Sequence, residues 1–145
     1  PNKVIISNGL ASMGIALPGA IGAKLAMPEV NVFSANGDGG FLMNVQELET
    51  AKRLGIGLVN VIFNDNSYGM IEWKQKSKEK HVFGVKLGNP DFVKLEQSFG
   101  AKGYKIERAS EVEEIVKNAA KSGELAVIEI PVDYSENQKI GMCER

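Results

Sequence analysis

Two carboxylates, Asp38 and Asp65, each follow directly on an apolar run, and each sits among residues suited to holding charge. Gly37, Gly39 and Gly40 surround Asp38 after the run Val30 to Ala35, while Asn64 and Asn66 surround Asp65 after the run Leu58 to Phe63. Carboxylates brought close together repel unless a cation lies between them. Hard oxygen donors on short loops suit Mg²⁺, which completes an octahedral shell with phosphate oxygens and water. Gly39 and Gly40 place no side chain in the way of an anion approaching the backbone, and the helix that follows turns free N–H groups toward it. The residue types and spacing therefore predict a site for a divalent cation and a diphosphate.

Such a site needs elements that bring the two loops together. If the two apolar runs are neighbouring parallel strands joined by the helical stretch Asn44 to Leu54, both loops leave the same carboxyl edge of one sheet. Asp38 and Asp65 then face a common point. Runs without polar alternation predict strands covered on both faces. Further along, the pattern predicts a helix from Met70 to about Lys80 and another opened by Pro90 and Asp91 and closed near Phe99 and Gly100. A strand over Tyr104 to Glu107 follows, then a capping box of Ser110 and Glu113 starting the helix Glu111 to Lys121, and a last strand over Leu125 to Pro131. Gly14 to Met27 is rich in small and apolar residues, and its weak helix propensity predicts a helix buried in the core or at an interface. The fold class is α/β, a parallel sheet with helices on both faces.

The chain has 145 residues, enough for one domain that buries roughly two-thirds of its unfolded surface. Seventeen basic and eighteen acidic residues leave a net charge of −1, which points to no nucleic-acid or membrane surface. The single cysteine, Cys143, has no internal disulfide partner, as expected for a reducing, cytoplasmic compartment. The longest nearly apolar stretch, Met13 to Met27, is broken by Pro18 and Lys24 and is too short to span a bilayer.

The pattern Gly37-Asp38-Gly39, then 24 residues, then Asn64-Asp65 resembles the thiamine diphosphate motif, GDG followed some two dozen residues later by NN. Asp65 replaces the second Asn, a variant that resembles the catabolic acetolactate synthases. Ser7 to Gly14 (SNGLASMG), Tyr68 to Gln75 (YGMIEWKQ), Ser98 to Gly103 (SFGAKG) and Ile130 to Asn137 (IPVDYSEN) resemble the same enzymes, so the likeness covers nearly the whole chain.

The resemblance implies thiamine diphosphate and Mg²⁺ as cofactors, held in a thiamine diphosphate-binding fold that here lacks its first strand and helix before Val4 to Ile6. It also implies that residues 1–145 are a diphosphate-binding domain and part of a larger enzyme. Asp38, Asp65 and the backbone carbonyl of Ser67 would be the metal ligands, with Asn64 orienting the loop. Gly37, Gly39, Gly40, Tyr68, Gly69 and Met70 would line the cofactor. Met13 would wedge between the two cofactor rings and bend them, and the backbone near Ala11 and Met13 would bond the pyrimidine edge. Met70, Ile71, Trp73 and Lys74 would form the substrate pocket for pyruvate or another 2-oxo acid; Lys74 stands where these enzymes carry a glutamine. The activating glutamate comes in this family from the pyrimidine-binding domain of a neighbouring subunit, so that domain and a homo-oligomer are the implied partners.

Each residue also has a plainer reading. A lone Asp after a strand usually caps a turn, Met13 could be core filler, and Met70, Trp73 and Ser77 share a helix face that could simply pack. Glu47 and Glu49 read as helix-surface charges, and His81 as solvated. Within the family, a pyruvate oxidase-like or 2-oxo acid decarboxylase activity is the alternative, and a non-catalytic cofactor- or partner-binding chain is another. A dinucleotide site is excluded because the glycines lack G-x-G-x-x-G spacing, and a haloacid-dehalogenase-type phosphatase because no early DxD nucleophile exists.

Overall fold

Four parallel strands form one sheet in the order β1-β2-β4-β3: β1 Phe33–Gly37, β2 Val59–Asn64, β3 Lys102–Lys105 and β4 Ala126–Pro131. The structure is a computed structural model that describes residues 3–78 and 81–138. Helix α1 Ala16–Ala26 precedes β1. Parallel neighbours need crossovers, and helices supply them: α2 Asp38–Leu42 and α3 Glu47–Arg53 between β1 and β2, α4 Gly69–Lys78 and α5 Phe92–Ser98 between β2 and β3, and α6 Val112–Ser122 between β3 and β4. β1 and β2 pair in register from Phe33 opposite Val59 to Gly37 opposite Phe63, so the segments after them leave the same edge of the sheet.

One face of the sheet is covered by α1, α3 and α5. Leu17, Ala20 and Ile21 of α1 repeat at helical spacing and join Leu48, Ala51, Ile62, Phe92 and Val127 in one apolar core. α6 covers part of the other face, packing Val112, Ile115, Val116 and Ala119 with Val59, Ala126 and Ile128. Gly123 ends α6 at φ +66°, the left-handed residue that terminates helices most cheaply. The expected α/β architecture with helices on both faces is present.

Several local expectations change. Val4 to Ile6 is not a strand; its side chains are 79%, 79% and 69% exposed. Helix Asn44 to Leu54 shortens to α3, because the chain turns at once into α2 and then needs the bend of residues 43–46 to reach α3. The strand predicted over Tyr104 to Glu107 sits earlier, at β3. The Ser110 and Glu113 capping box is displaced by a 3-10 turn, Ala109–Glu111, in which the Glu111 carboxylate accepts from the N–H groups of Glu107 and Arg108. For the helix predicted to about Lys80, residues 79 and 80 lie outside the described residues, as does Cys143.

β1 also departs from a strand covered on both faces. Ser34 and Asn36 point inward, and both donate to Asn60 Oδ1 at 2.5 Å, while Phe33 on the other face is half exposed. β1 is an edge strand and α6 packs over β2 and β4, which leaves that face of β1 open. α1 likewise buries one stripe only: Gly19 and Gly22 have open space around them, and Ile15, Leu25 and Met27 are exposed.

Candidate functional site

Asp38 is the first residue of α2 and lies immediately after β1. Its side chain is buried, with Oδ1 accepting from the Gly39 N–H at 2.9 Å and Oδ2 accepting from Asn89 Nδ2 at 2.7 Å. The glycines predicted to form a bare loop are therefore the first turn of a short helix. Gly39 must be glycine for a further reason, since a Cβ there would meet the Tyr68 ring at 2.5 Å.

Asp65 sits on the loop after β2, which is built from two overlapping turns of the kind Asn and Asp side chains make with their own backbone. Asn64 Oδ1 accepts from the Asn66 N–H at 3.0 Å and Asp65 Oδ1 from the Ser67 N–H at 3.1 Å, with Asn66 left-handed at φ +56°. A short antiparallel bridge to residues 85–87 steadies the loop: the Tyr68 N–H donates to the Val85 carbonyl and the Leu87 N–H to the Asn66 carbonyl, both at 2.9 Å. The Ser67 carbonyl lies outside those two bonds. Below the bridge, the Glu72 carboxylate accepts from Ser67 Oγ and pairs with Lys76 and Lys86, each at 2.8 Å. Hydrogen bonds from Lys76, then Lys86 and Ser67, hold its carboxyl down at about 2.

The two loops converge. Burial raises Asp65 above the ordinary carboxylate range, the neighbouring Asp38 charge raises it further, and the Ser67 N–H opposes both. The Asp38 charge thus acts on Asp65 from the neighbouring loop, and two such carboxylates could hold a hard divalent cation between them. Gly69 belongs to the same site, because a Cβ there would collide with Asp65 Oδ2. The segment Ser7 to Gly14 reaches it too: the Gly14 carbonyl accepts from Asn44 Nδ2 at 2.9 Å, and a Cβ on Gly40 would lie 3.8 Å from the Gly14 nitrogen. That contact leaves Met13, one residue away, 45% exposed and not packed as core. Ala11 is left-handed at φ +49°, unusual for a residue with a Cβ.

The residues expected to form a substrate pocket fall on α4, whose one buried side chain is Glu72. Met70 and Ile71 are 66% and 48% exposed and Lys74 is exposed, so core packing does not account for these three, whereas Trp73 is half-buried. Gln75 is engaged with the Phe83 backbone in both directions, at 3.1 and 3.2 Å. His81 is exposed.

Sequence reasoning missed four neighbours of the site. Asn89 gave no motif, being a single polar residue outside the two loops, and Glu72, although within the Tyr68 to Gln75 segment, was given no role. Glu129 lies on β4 and accepts from Asn64 Nδ2 at 2.7 Å, a pairing set by strand order. Tyr134 lies near Gly69, and burial first, then the Asp65 and Asp38 charges, raise its hydroxyl above the ordinary value.

Residues 1–130 match the family model described as thiamine pyrophosphate enzyme, C-terminal TPP binding domain. The chain belongs to that family. It is 41% identical over 137 residues to an acetolactate synthase of Bacillus subtilis, covering 94% of this chain and 24% of the relative. It is 43% identical over 135 residues to a catabolic acetolactate synthase of Raoultella terrigena, covering 93% of this chain and 24% of the relative. The chain thus spans about a quarter of the length of these relatives. Among the described residues, no helix is long and apolar enough to cross a membrane.

Proposed function

We propose that this chain is the diphosphate-binding domain of a cytoplasmic acetolactate synthase, which joins two pyruvates into 2-acetolactate with release of carbon dioxide. The convergence of the Asp38 and Asp65 loops at one edge of the β1–β2 pair carries the reading. Asp38, Asp65 and the Ser67 carbonyl would hold Mg²⁺, and Gly39 and Gly40 would admit the diphosphate against the backbone. Bound thiamine diphosphate supplies an electron sink for decarboxylating a 2-oxo acid and passing the remaining carbons to a second carbonyl.

The chain's own residues bind and orient. Asn64 orders the loop through its bond to the Asn66 N–H, and Tyr68, Gly69 and Met70 would flank the cofactor beyond it. Met13 would press the cofactor rings into a bent form, with the backbone at Ala11 and Met13 meeting the pyrimidine edge. Met70, Ile71, Trp73 and Lys74 would receive the 2-oxo acid, with the Lys74 cation available to its carboxylate. No residue here matches the family's activating glutamate, so the pyrimidine-binding domain of a partner copy in a homo-oligomer would supply it, and residues 1–145 alone would be inactive.

Calorimetric titration of the full-length protein with thiamine diphosphate, with and without a chelator, tests the reading alongside acetolactate formation from pyruvate. Binding should require Mg²⁺ and be abolished in Asp38→Ala. Asp65→Asn, which keeps an oxygen ligand, should bind more weakly but measurably. Equal affinity in the presence of chelator would overturn the metal role. Acetaldehyde or acetyl phosphate as the product would move the chain to the decarboxylase or oxidase alternative.

A further inference from the structure

Asn89 lies in the segment between the bridge at residues 85–87 and α5, remote in sequence from both site loops. Its amide nitrogen nonetheless meets both: Nδ2 is 2.7 Å from Asp38 Oδ2, 2.9 Å from Asn64 Oδ1 and 3.3 Å from Asn66 Oδ1. Turning the amide over would set Oδ1 against three oxygens, so the donor orientation is the one the surroundings permit. The strand Asn64 belongs to extends the connection, because Asn64 Nδ2 donates to Glu129 Oε1 at 2.7 Å. A polar path thus runs from the carboxylate of β4 through Asn64 and Asn89 to Asp38.

Asn89 is also fixed from behind. Phe92, three residues on and wholly buried, packs its ring edge to face against Phe41, which stands three residues beyond Asp38. Asp91 caps α5 by accepting from the Lys94 N–H at 3.1 Å. The segment carrying Asn89 is therefore anchored to α2 at two points, one polar and one apolar.

We propose that Asn89 is a positioning residue for the cation site: its amide sets the Asp38 carboxylate and the Asn64 loop in the mutual arrangement that a divalent cation needs. This rests on the cation reading of Asp38 and Asp65. Groups that orient metal ligands without touching the metal typically contribute 10–100-fold in affinity. Asn89→Ala should lower Mg²⁺ affinity by about that factor in the presence of saturating thiamine diphosphate.

The experiment is a Mg²⁺ titration of the full-length protein, wild type, Asn89→Ala and Asp38→Ala, followed by calorimetry and by the side-chain amide signals of ¹⁵N-asparagine-labelled protein. The expected result is weakened binding in Asn89→Ala, none in Asp38→Ala, and an Asn89 amide signal in wild type that shifts as Mg²⁺ is added and is displaced in Asp38→Ala. Loss of binding in Asp38→Ala with unchanged affinity in Asn89→Ala overturns the positioning role alone. Mg²⁺-dependent binding that persists in Asp38→Ala overturns the cation reading and this role with it. If Asn89→Ala does not fold, the wild-type signal decides, and an Asn89 amide that stays unmoved to saturation overturns the proposal.

Discussion

The rings of Phe41 and Phe92 meet edge to face with centroids 5.8 Å apart and planes at 69°. This contact locks α5 onto α2, and it lies behind the first residue of α2, Asp38. Both rings are buried, so the pair is part of the core on the α1, α3 and α5 face as well as a support for the site.

Phe92→Ala should therefore cost about 3–5 kcal/mol of stability, the usual range for emptying a buried aromatic position. It should also weaken thiamine diphosphate binding at temperatures where the protein remains folded. Chemical denaturation and calorimetric titration of the same variant measure the two effects. Full affinity in a destabilised protein would confine Phe92 to core packing.

Gly69→Ala should damage the metal loop more than its helix. Alanine is the better helix former by about 1 kcal/mol, yet its methyl group would collide with Asp65 Oδ2. The expected outcome is a protein of near wild-type melting temperature whose Mg²⁺-dependent cofactor affinity falls at least tenfold, about 1.4 kcal/mol. A parallel loss of helix content would show that the methyl group disrupts the fold.

Glu96 on α5 is wholly buried with neither oxygen hydrogen-bonded among the described residues. Burial, followed by the nearby Glu129 and Asp91 charges, pushes its carboxyl up to about 9. The folded protein then keeps a proton that the unfolded chain releases near its ordinary value of 4.5. Stability contributed by this group is complete below that value and falls as pH rises to about 9, by up to ~1.4 kcal/mol per pH unit. Glu96→Leu should flatten this slope and raise the melting temperature at pH 8. Denaturation at several pH values checks it, and an unchanged slope would mean that Glu96 is ionised and paired.

Met13→Ala, in the full-length protein, should reduce turnover at saturating cofactor much more than it reduces cofactor affinity. Met13 is 45% exposed beside the contact between Gly14 and Asn44, so its removal empties no core. Steady-state kinetics together with calorimetry separate the two quantities. Lost affinity with unchanged turnover would make Met13 a binding contact only.

Much of the site was legible because its chemistry is local. Gly37, Asp38 and Gly39 after one apolar run, and Asn64 and Asp65 after another, imply parallel strands with loops at one edge, and β1 and β2 pair in that way. Turn chemistry located α5, opened at Asp91 and closed near Gly100, and the run of small apolar residues located α1; α6 lies about where it was expected, although its cap is not the Ser110 and Glu113 box. The sequence by itself thus determined the class of fold, the family and the two loops that converge at one edge of the sheet. Tertiary structure alone decided what stands behind those loops. Asn89 reaches Asp38 across 51 positions and Asn64 reaches Glu129 across 65, and no spacing rule relates residues so far apart. The inward turn of Ser34, in a run that reads as apolar, and of Asn36 just after it follows from the place of β1 at the sheet edge, with Asn60 of β2 there to accept from both. The same holds for α4, where helical spacing puts Met70, Trp73 and Ser77 on one face while the buried side chain is Glu72, hydrogen-bonded to Ser67 and paired with Lys76 and Lys86. Local pattern selects which elements form; long-range pairing selects the face each one buries and the partner each polar group meets.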